Sequence, residues 1–335
     1  MTNIFIGLSN NQIKSYESLL KKGIKGNNIL IANSSLNFDQ TLFSTVILSE
    51  SSFNNQASGR LQSIQNITNK ISEYKRIVKG LKSYKRDKDI TLYFTYIEDV
   101  LTNYLFFSFN KNLRGIVVED GTLNYYNHTI ENLNKKKVYL KKVLSSLYGL
   151  NFTLYKGHSS GIEYNKVIKQ YVRSPKLSMF PEKSEELPYS KRSANLTDTF
   201  LIIGQEAYIN ESGKELYNTR LQQLFEVIKK NNGYNTVSKI YYKPHRNGER
   251  IDYNLLYDAF LDKEVEVLSA NEPLEDLYFN EIGSENIFSF DSSALLNIYL
   301  EAAEEIKSKI KFTVLLKYNK ELRFIFERFN FKIIE

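Results

Sequence analysis

The chain has no cysteine and no tryptophan, and only two methionines, three histidines and five prolines among its 335 residues. Without cysteine there can be no disulfide framework, no thiolate metal site and no cysteine nucleophile. A reducing compartment fits that lack, as does a secreted protein that dispenses with disulfides. Imidazole chemistry is confined to His128, His158 and His245. Their spacing against the carboxylates suggests no metal site. No run approaches the ~20 apolar residues of a membrane helix. The segment Met1–Gly7 has no basic leader before an apolar stretch, so it reads as a first buried strand rather than a signal peptide. The expectation is a cytoplasmic protein, either free in solution or held loosely at the inner membrane face. A dinucleotide-binding glycine fingerprint after Ile4–Leu8 is also missing.

What is present can fill large cores. Hydrophobic residues make up 42% of the chain, with 24 Tyr and 21 Phe. This composition excludes disorder, and the length suggests two domains of ordinary size. Lys and Arg outnumber Asp and Glu by 45 to 38, a net charge of +7. The basic residues cluster at Lys135–Lys137 with Lys141 and Lys142, and again from Lys75 to Lys88. Solvated helix faces account for most such clusters. Attraction to nucleic acid, a nucleotide sugar, an acidic glycan or anionic lipid is the functional alternative.

Short apolar runs at Ile4–Leu8, Ile29–Ala32, Thr45–Leu48, Thr91–Tyr96 and Gly115–Val118 predict strands. Helical spacing fills Gln12–Lys22, Arg60–Tyr84, Ile97–Phe107 and Thr129–Tyr148 between and after them. Around Ser174–Ser193, Pro175, Pro181 and Pro188 fall among Ser, Glu and Lys, which predicts a linker or inter-domain crossing. The pattern then restarts. Strands are predicted at Thr199–Gly204, Lys239–Lys243, Val265–Leu268, Ile287–Phe290 and Phe312–Leu316. Helices are predicted at Leu216–Lys230, Tyr253–Leu261, Pro273–Tyr278, Ser293–Ala303 and Lys320–Phe329. The implied architecture is two α/β domains, 1–180 and 181–335, each a parallel sheet wrapped by helices. Glycosyltransferases of the GT-B type, periplasmic binding proteins and dehydrogenases share that layout, so fold alone gives no function.

Ligands of open α/β sheets bind beyond the carboxyl ends of strands, which gives weight to three strand-end motifs. In Val117-Val118-Glu119-Asp120-Gly121, two adjacent acids and a turn-permitting glycine follow a buried strand. One acid could take a proton from a hydroxyl; alone, a plain strand-turn is the better reading. In Tyr241-Tyr242-Lys243-Pro244-His245-Arg246, a histidine ends a strand between two cations that favour phosphate. A surface histidine in a basic turn is an equal reading. In Phe290-Asp291-Ser292-Ser293-Ala294, a helix starts at two serines, an arrangement that binds anions but more often simply caps the helix. Gly204-Gln205 ends the first strand of the second domain, where a glycine could admit a nucleotide. The loop Lys156–Gly161 lacks phosphate-loop spacing and reads as a loop, and His128 as a capping or packing residue.

Taken in order, an acid-acid-Gly in the first domain and a Lys-Pro-His and Ser-Ser in the second resemble the bacterial sialyltransferases of glycosyltransferase family 52. The polysialyltransferases of family 38 carry similar motifs. The matching residues are Glu119-Asp120-Gly121, His245 and Ser292-Ser293, and Phe200–Gln205 is similar to the strand that opens the family's donor domain. The family places Pro after the histidine; here Arg246 follows and Pro244 precedes. The resemblance implies a GT-B fold, two Rossmann-like domains with parallel sheets facing across a cleft. It also implies a CMP-sialic acid donor, a galactose-type acceptor on a surface glycan, inversion, and no metal or other cofactor. Glu119 or Asp120 would be the base, with Glu119, the first acid, preferred. His245 would protonate or hydrogen-bond the departing phosphate. Gly121, Gly204, Gln205, Lys243, Pro244, Arg246, Ser292 and Ser293 would form the donor side.

Three other readings stand beside this one. A glycosyltransferase using another CMP-activated ulosonic acid, such as Kdo or legionaminic acid, would share the phosphate machinery. A non-enzymatic nucleic-acid-binding protein suits the charge and the tyrosines, but the basic residues are interspersed with acids and no nucleic-acid motif occurs. A binding protein that has lost catalysis would not need Glu119, Asp120 and His245. Nucleic acid is therefore not an expected partner; CMP-sialic acid, a glycan acceptor and peripheral membrane contact are, and oligomeric state is open.

Overall fold

The computed structural model describes residues 1–50, 60–246, 248–318 and 320–335. The chain divides into two compact units, Met1–Tyr189 and Ser190–Glu335. Strands form where β-branched and aromatic residues run together, because those side chains fit a pleated, buried surface.

Unit one contains β1 (Thr2–Gly7), β2 (Asn27–Asn33), β3 (Thr45–Ser49), β4 (Ile90–Phe94), β5 (Arg114–Val118), β6 (Val167–Val172) and β7 (Ser184–Glu186). They pair in the order β3-β2-β1-β4-β5-β6-β7, every pair parallel. Ile4 sits opposite both Ile29 and Leu92. Alternate residues face opposite sides of a strand, so both faces need a core. Ile4, Ile6, Ile29, Ile31, Leu92 and Phe94 pack with Ile71, Tyr74 and Ile77 of the helix Arg60–Gly80. Phe5, Leu30, Tyr93, Ile116 and Val118 pack on the other side with Ile13, Tyr16 and Leu19 of the helix Asn10–Lys21. Burial of both faces explains why these strands read as unbroken apolar runs.

Unit two repeats the scheme with β8 (Thr197–Ile203), β9 (Lys239–Lys243), β10 (Glu264–Val267), β11 (Ser284–Ser289), β12 (Lys311–Leu315) and β13 (Lys332–Ile334). The order is β10-β9-β8-β11-β12-β13, again parallel throughout. Phe200, Ile202, Tyr242 and Phe288 pack with Tyr217, Leu221 and Leu224 of the helix Lys214–Lys229. In each sheet the first strand lies centrally, with strand order running outward in both directions. The crevice at such a reversal is where open parallel sheets bind ligands.

Two expectations are refined. The proline-rich stretch 174–193 does hold the crossing between the units, at Tyr189–Ser190, but most of it is folded into unit one. Pro175 and Pro181 each open a 3-10 turn, where a missing N–H and a fixed φ cost nothing, and Ser184–Glu186 then joins the sheet as β7. The predicted helix Ile97–Phe107 starts later, because the Asp99 carboxylate accepts from Leu101 N and Thr102 N (3.0 and 3.2 Å) and sets the first turn at Val100. No helix among the described residues is long and apolar enough to cross a membrane.

Candidate functional site

In unit one, β5 runs straight into Glu119, whose carboxylate is 1% exposed. A carboxylate in that position must be neutralised and hydrogen-bonded. Arg173, just past the end of neighbouring β6, does both. Its Nε and Nη2 lie 2.7 and 2.6 Å from Glu119 Oε1, and its backbone N–H donates to Oε2 at 2.6 Å. The Tyr125 hydroxyl donates to Oε2 at 2.5 Å. Burial first, and then the Glu119 charge, push the Tyr125 phenol well above its ordinary value, so it stays a donor. Glu119 is thus absorbed into a fork that ties together the ends of β5 and β6 and the following turn.

Asp120 is different. It is half-buried, and its Oδ2 accepts from Gln12 Nε2 at 2.6 Å. Gln12 is itself buried in the first turn of the helix after β1, which Ser9 caps. Its Oε1 accepts the Leu8 backbone N–H at 2.6 Å, which commits the oxygen there and turns the NH2 group towards Asp120 and Thr95 Oγ1 (3.3 Å). Three strand ends therefore meet: β1 through Leu8 and Gln12, β4 through Thr95, and β5 through Asp120. This is the β1/β4 reversal of the sheet. Gly121 turns the chain away with a φ of 63°, a left-handed conformation that favours glycine.

The loop Lys156–Gly161 supports this end of the sheet. Ser159 O accepts the Ile97 N–H at 2.9 Å, and Ser159 Oγ meets His128 Nδ1 at 2.8 Å and Tyr155 Oη at 3.0 Å. His158 is buried, with Nε2 3.0 Å from the Tyr126 carbonyl. That bond places its proton on Nε2, so Nδ1 accepts from the Ser160 hydroxyl (2.8 Å) and N–H (3.2 Å). Burial holds its pKa below the ordinary 6.5, since a cationic ring would be desolvated and would face two donors.

Unit two is organised around a second buried carboxylate, Glu206, which is 0% exposed. Its Oε1 accepts from Tyr242 Oη at 2.5 Å and its Oε2 from the His245 backbone N–H at 2.6 Å. The His245 carbonyl accepts from Arg250 Nη1 at 2.7 Å. The main chain of half-buried His245 is therefore held at both ends. A Cβ on Gly204 would lie 2.4 Å from Tyr242 Oη and 2.7 Å from the Glu206 carboxylate. Gln205 Nε2 donates to Ser292 Oγ at 2.6 Å, joining the end of β8 to that of β11 at the strand reversal. Ser292 Oγ also caps the helix Ser293–Glu301 by accepting the Ala294 N–H at 3.2 Å, which leaves its own O–H as the group it can donate. Ser293 is exposed at the first helical position, and Asp291 is buried, accepting the Tyr318 N–H at 3.3 Å.

The expected site residues therefore separate. Asp120 and Gly121 gather at the β1/β4 end of unit one. Gln205, His245, Ser292 and Ser293 lie at strand ends of unit two, with Arg246 exposed beside His245. Three of the expected residues are engaged within the protein. Glu119 is engaged by Arg173 and Tyr125. The space over Gly204 belongs to Glu206 and Tyr242 rather than to a ligand. Lys243 is buried, with Nζ donating to the carbonyls of Ser269 (2.7 Å) and Ala270 (3.1 Å), so it ties loops and is not a presented cation. Burial lowers its pKa. Pro244 is buried in the same turn. The sequence reading missed Gln12, Arg173, Glu206 and Arg250. Glu206, next to Gly204-Gln205, was visible as a strand-end acid; a lone glutamine in a helix carries no motif signal.

Among the described residues no three His, Asp or Glu side chains are grouped to hold a metal ion. A depression of about 740 Å3 on unit two, lined by Asp198, Asn286 and Lys311 among others, lies at the amino ends of β8, β11 and β12, away from this chemistry.

No family model and no curated protein matches the chain. Solved structures do. An α/β-galactoside α-2,3-sialyltransferase from Photobacterium phosphoreum is 11% identical, with 99% of this chain and 97% of that one covered at a TM-score of 0.54. The GT-B domain of a sialyltransferase from Photobacterium damselae is 12% identical, with 98% and 95% covered at a TM-score of 0.50. The chain is thus similar in fold to GT-B glycosyltransferases, and its two parallel-sheet α/β units are those of that fold class.

The two acids should separate in a stability measurement. Glu119→Ala removes the carboxylate that the largely buried Arg173 guanidinium binds and is expected to cost about 3–5 kcal/mol. Asp120→Ala is expected to cost roughly 1–2 kcal/mol. Urea denaturation of both variants checks the order. For His158, the folded pKa lies below the unfolded one, so its contribution is complete above pH 6.5 and is lost as pH falls below that value. Denaturation at pH 7.5 and 5.5 should show a smaller acid loss for His158→Gln than for the native chain.

Proposed function

We propose that the protein is a sialyltransferase, moving sialic acid from a CMP-activated donor to a hydroxyl of a galactose-terminated glycan. The observation that carries this reading is one of placement. The acid-acid-Gly, Lys-Pro-His and Ser-Ser motifs all lie at carboxyl ends of parallel strands, after β5, β9 and β11, the end at which open parallel sheets bind ligands.

Asp120, rather than Glu119, is the base. Glu119 is buried and bound by a guanidinium, an N–H and a phenol, whereas Asp120 is half-buried at the strand end with the Gln12 amide directed at it, which favours Asp120 as the acid presented to an acceptor hydroxyl. As the acceptor oxygen bonds to the anomeric carbon, its proton passes to Asp120. The bond from that carbon to the phosphate oxygen breaks, and CMP leaves. A single displacement of this kind inverts the anomeric centre. His245, its backbone fixed by Glu206 and Arg250, donates to the leaving phosphate. The Ser292 hydroxyl, the helix N-terminus at Ser293 and the Arg246 guanidinium complete its cradle. In this mechanism the protein supplies the charge compensation and no metal is required.

The test is incubation with CMP-sialic acid and lactose in the presence of EDTA, following CMP release and product mass. CMP release with a product heavier by one sialic acid is expected. Asp120→Ala and His245→Ala should each lower turnover by ~10²–10⁴-fold. Turnover only with another CMP-ulosonic acid would move the donor assignment. No binding of any CMP-sugar in a thermal-shift titration would overturn the reading.

Gln12 acts through Asp120 as a positioning residue. Gln12→Leu should lower kcat by roughly 10–100-fold with little change in KM. It should also move the acid limb of the pH–rate profile upward, because the lost N–H donor favoured the anionic carboxylate. An unchanged profile would assign Gln12 a structural role only.

A further inference from the structure

The helix Lys135–Leu147 reads KKKVYLKKVLSSL: five lysines in 13 residues and no acid. At 100° per residue its inner side is clear. Val138 belongs to the core of unit one, Leu144 and Tyr148 pack against it, Ser145 is buried, and Lys141 reaches in to donate Nζ to the Glu98 carbonyl at 3.1 Å. The outer side is unusual. Tyr139 is 70% exposed, Val143 41% and Leu147 76%, spaced i, i+4, i+8 along one stripe. Lys135 continues the stripe at its amino end, and Lys136 and Lys142 flank it on opposite sides, all exposed. A merely solvated face has no reason to carry tyrosine and leucine at full exposure between lysines.

The geometry points to this face as a docking surface for an anionic lipid bilayer. Charge complementarity selects that occupant. A second copy would bring an all-positive helix against its like, whereas an anionic leaflet attracts each lysine and receives the apolar stripe at headgroup level. Tyrosine suits that depth because its ring is apolar and its hydroxyl wet. Lysines beside the stripe lay their methylenes along the apolar residues and keep the ammonium groups at the phosphates. The helix is ~20 Å long, and it would lie in the plane of the surface. The inference is independent of the donor and acceptor proposed above.

The test is co-sedimentation of the full chain with vesicles of phosphatidylcholine alone or with 30% phosphatidylglycerol, an anionic fraction of about one lipid in three. Binding is expected only to the anionic vesicles and should be released by high salt. Because the whole chain is basic, the deciding variant keeps the charge: Tyr139→Ser with Leu147→Ser should weaken binding at least tenfold, an order-of-magnitude expectation from the lost apolar contact. Replacing Lys135, Lys136 and Lys142 by Gln should weaken it by roughly 100-fold, about fivefold per lysine. All five positions are exposed, and an unchanged melting temperature confirms that the fold survives. Three outcomes would overturn the inference: no preference for anionic vesicles, undiminished binding by the charge-neutral double variant, or concentration-dependent dimerisation that Leu147→Ser abolishes.

Discussion

A carboxylate with 1% exposure survives at the end of β5 only because Arg173 meets it from the end of β6. Most of what is distinctive in unit one depends on that neutralisation. The guanidinium and backbone N–H of one residue bind both carboxylate oxygens, which fixes the relative ends of two parallel strands. Tyr125 closes the fork and holds the turn that follows. With one acid of the pair bound by Arg173 and Tyr125, the next lies half-buried against the Gln12 amide. A buried ion pair is a poor source of net stability, since desolvation offsets much of its attraction. Its effect here is positional, and the residue that benefits is its neighbour.

Unit two reaches the same end by a different route. Glu206 has no guanidinium on its side chain; a phenol and a backbone N–H satisfy its oxygens instead. Both units thus use a buried carboxylate as an acceptor hub at a strand end; Glu206 fixes the His245 backbone directly, while Glu119 ties the ends of β5 and β6 beside Asp120. Functional side chains are best carried on rigid elements supported by a surrounding hydrogen-bonded shell, and these hubs are that support.

Of the thirteen strands among the described residues, nine lie in runs whose apolar, β-branched character is visible in the sequence, and those of them buried on both faces leave no alternation to hide them. A tenth, β10, alternates Glu and Val as a half-exposed edge strand does, and was also legible. The strands that escaped notice are β6, β7 and β13. In β6, Lys169 and Gln170 interrupt the apolar pattern; β7 is Ser-Glu-Glu; β13 has three residues. Missing β6 also hid Arg173, and with it the reason for preferring Asp120. The three motifs were legible because each occupies contiguous residues. Gln12 and Arg250 were not, since their importance arises from partners 108 and 5 residues away that no linear pattern joins.

The fork at Glu119 also bears on how such a chain can drift. Loss of Arg173 alone would leave the Glu119 carboxylate buried without its guanidinium, so that position changes at a high cost unless the acid changes with it. Asp120 is held in another way, by the uncharged amide of Gln12 among its partners. Two acids that stand side by side in the chain thus differ in what surrounds them, one in a buried ion pair and the other half-buried against an amide. A lineage could exchange the ion pair for two apolar residues of matching volume at little cost, a route that leaves the second acid in place.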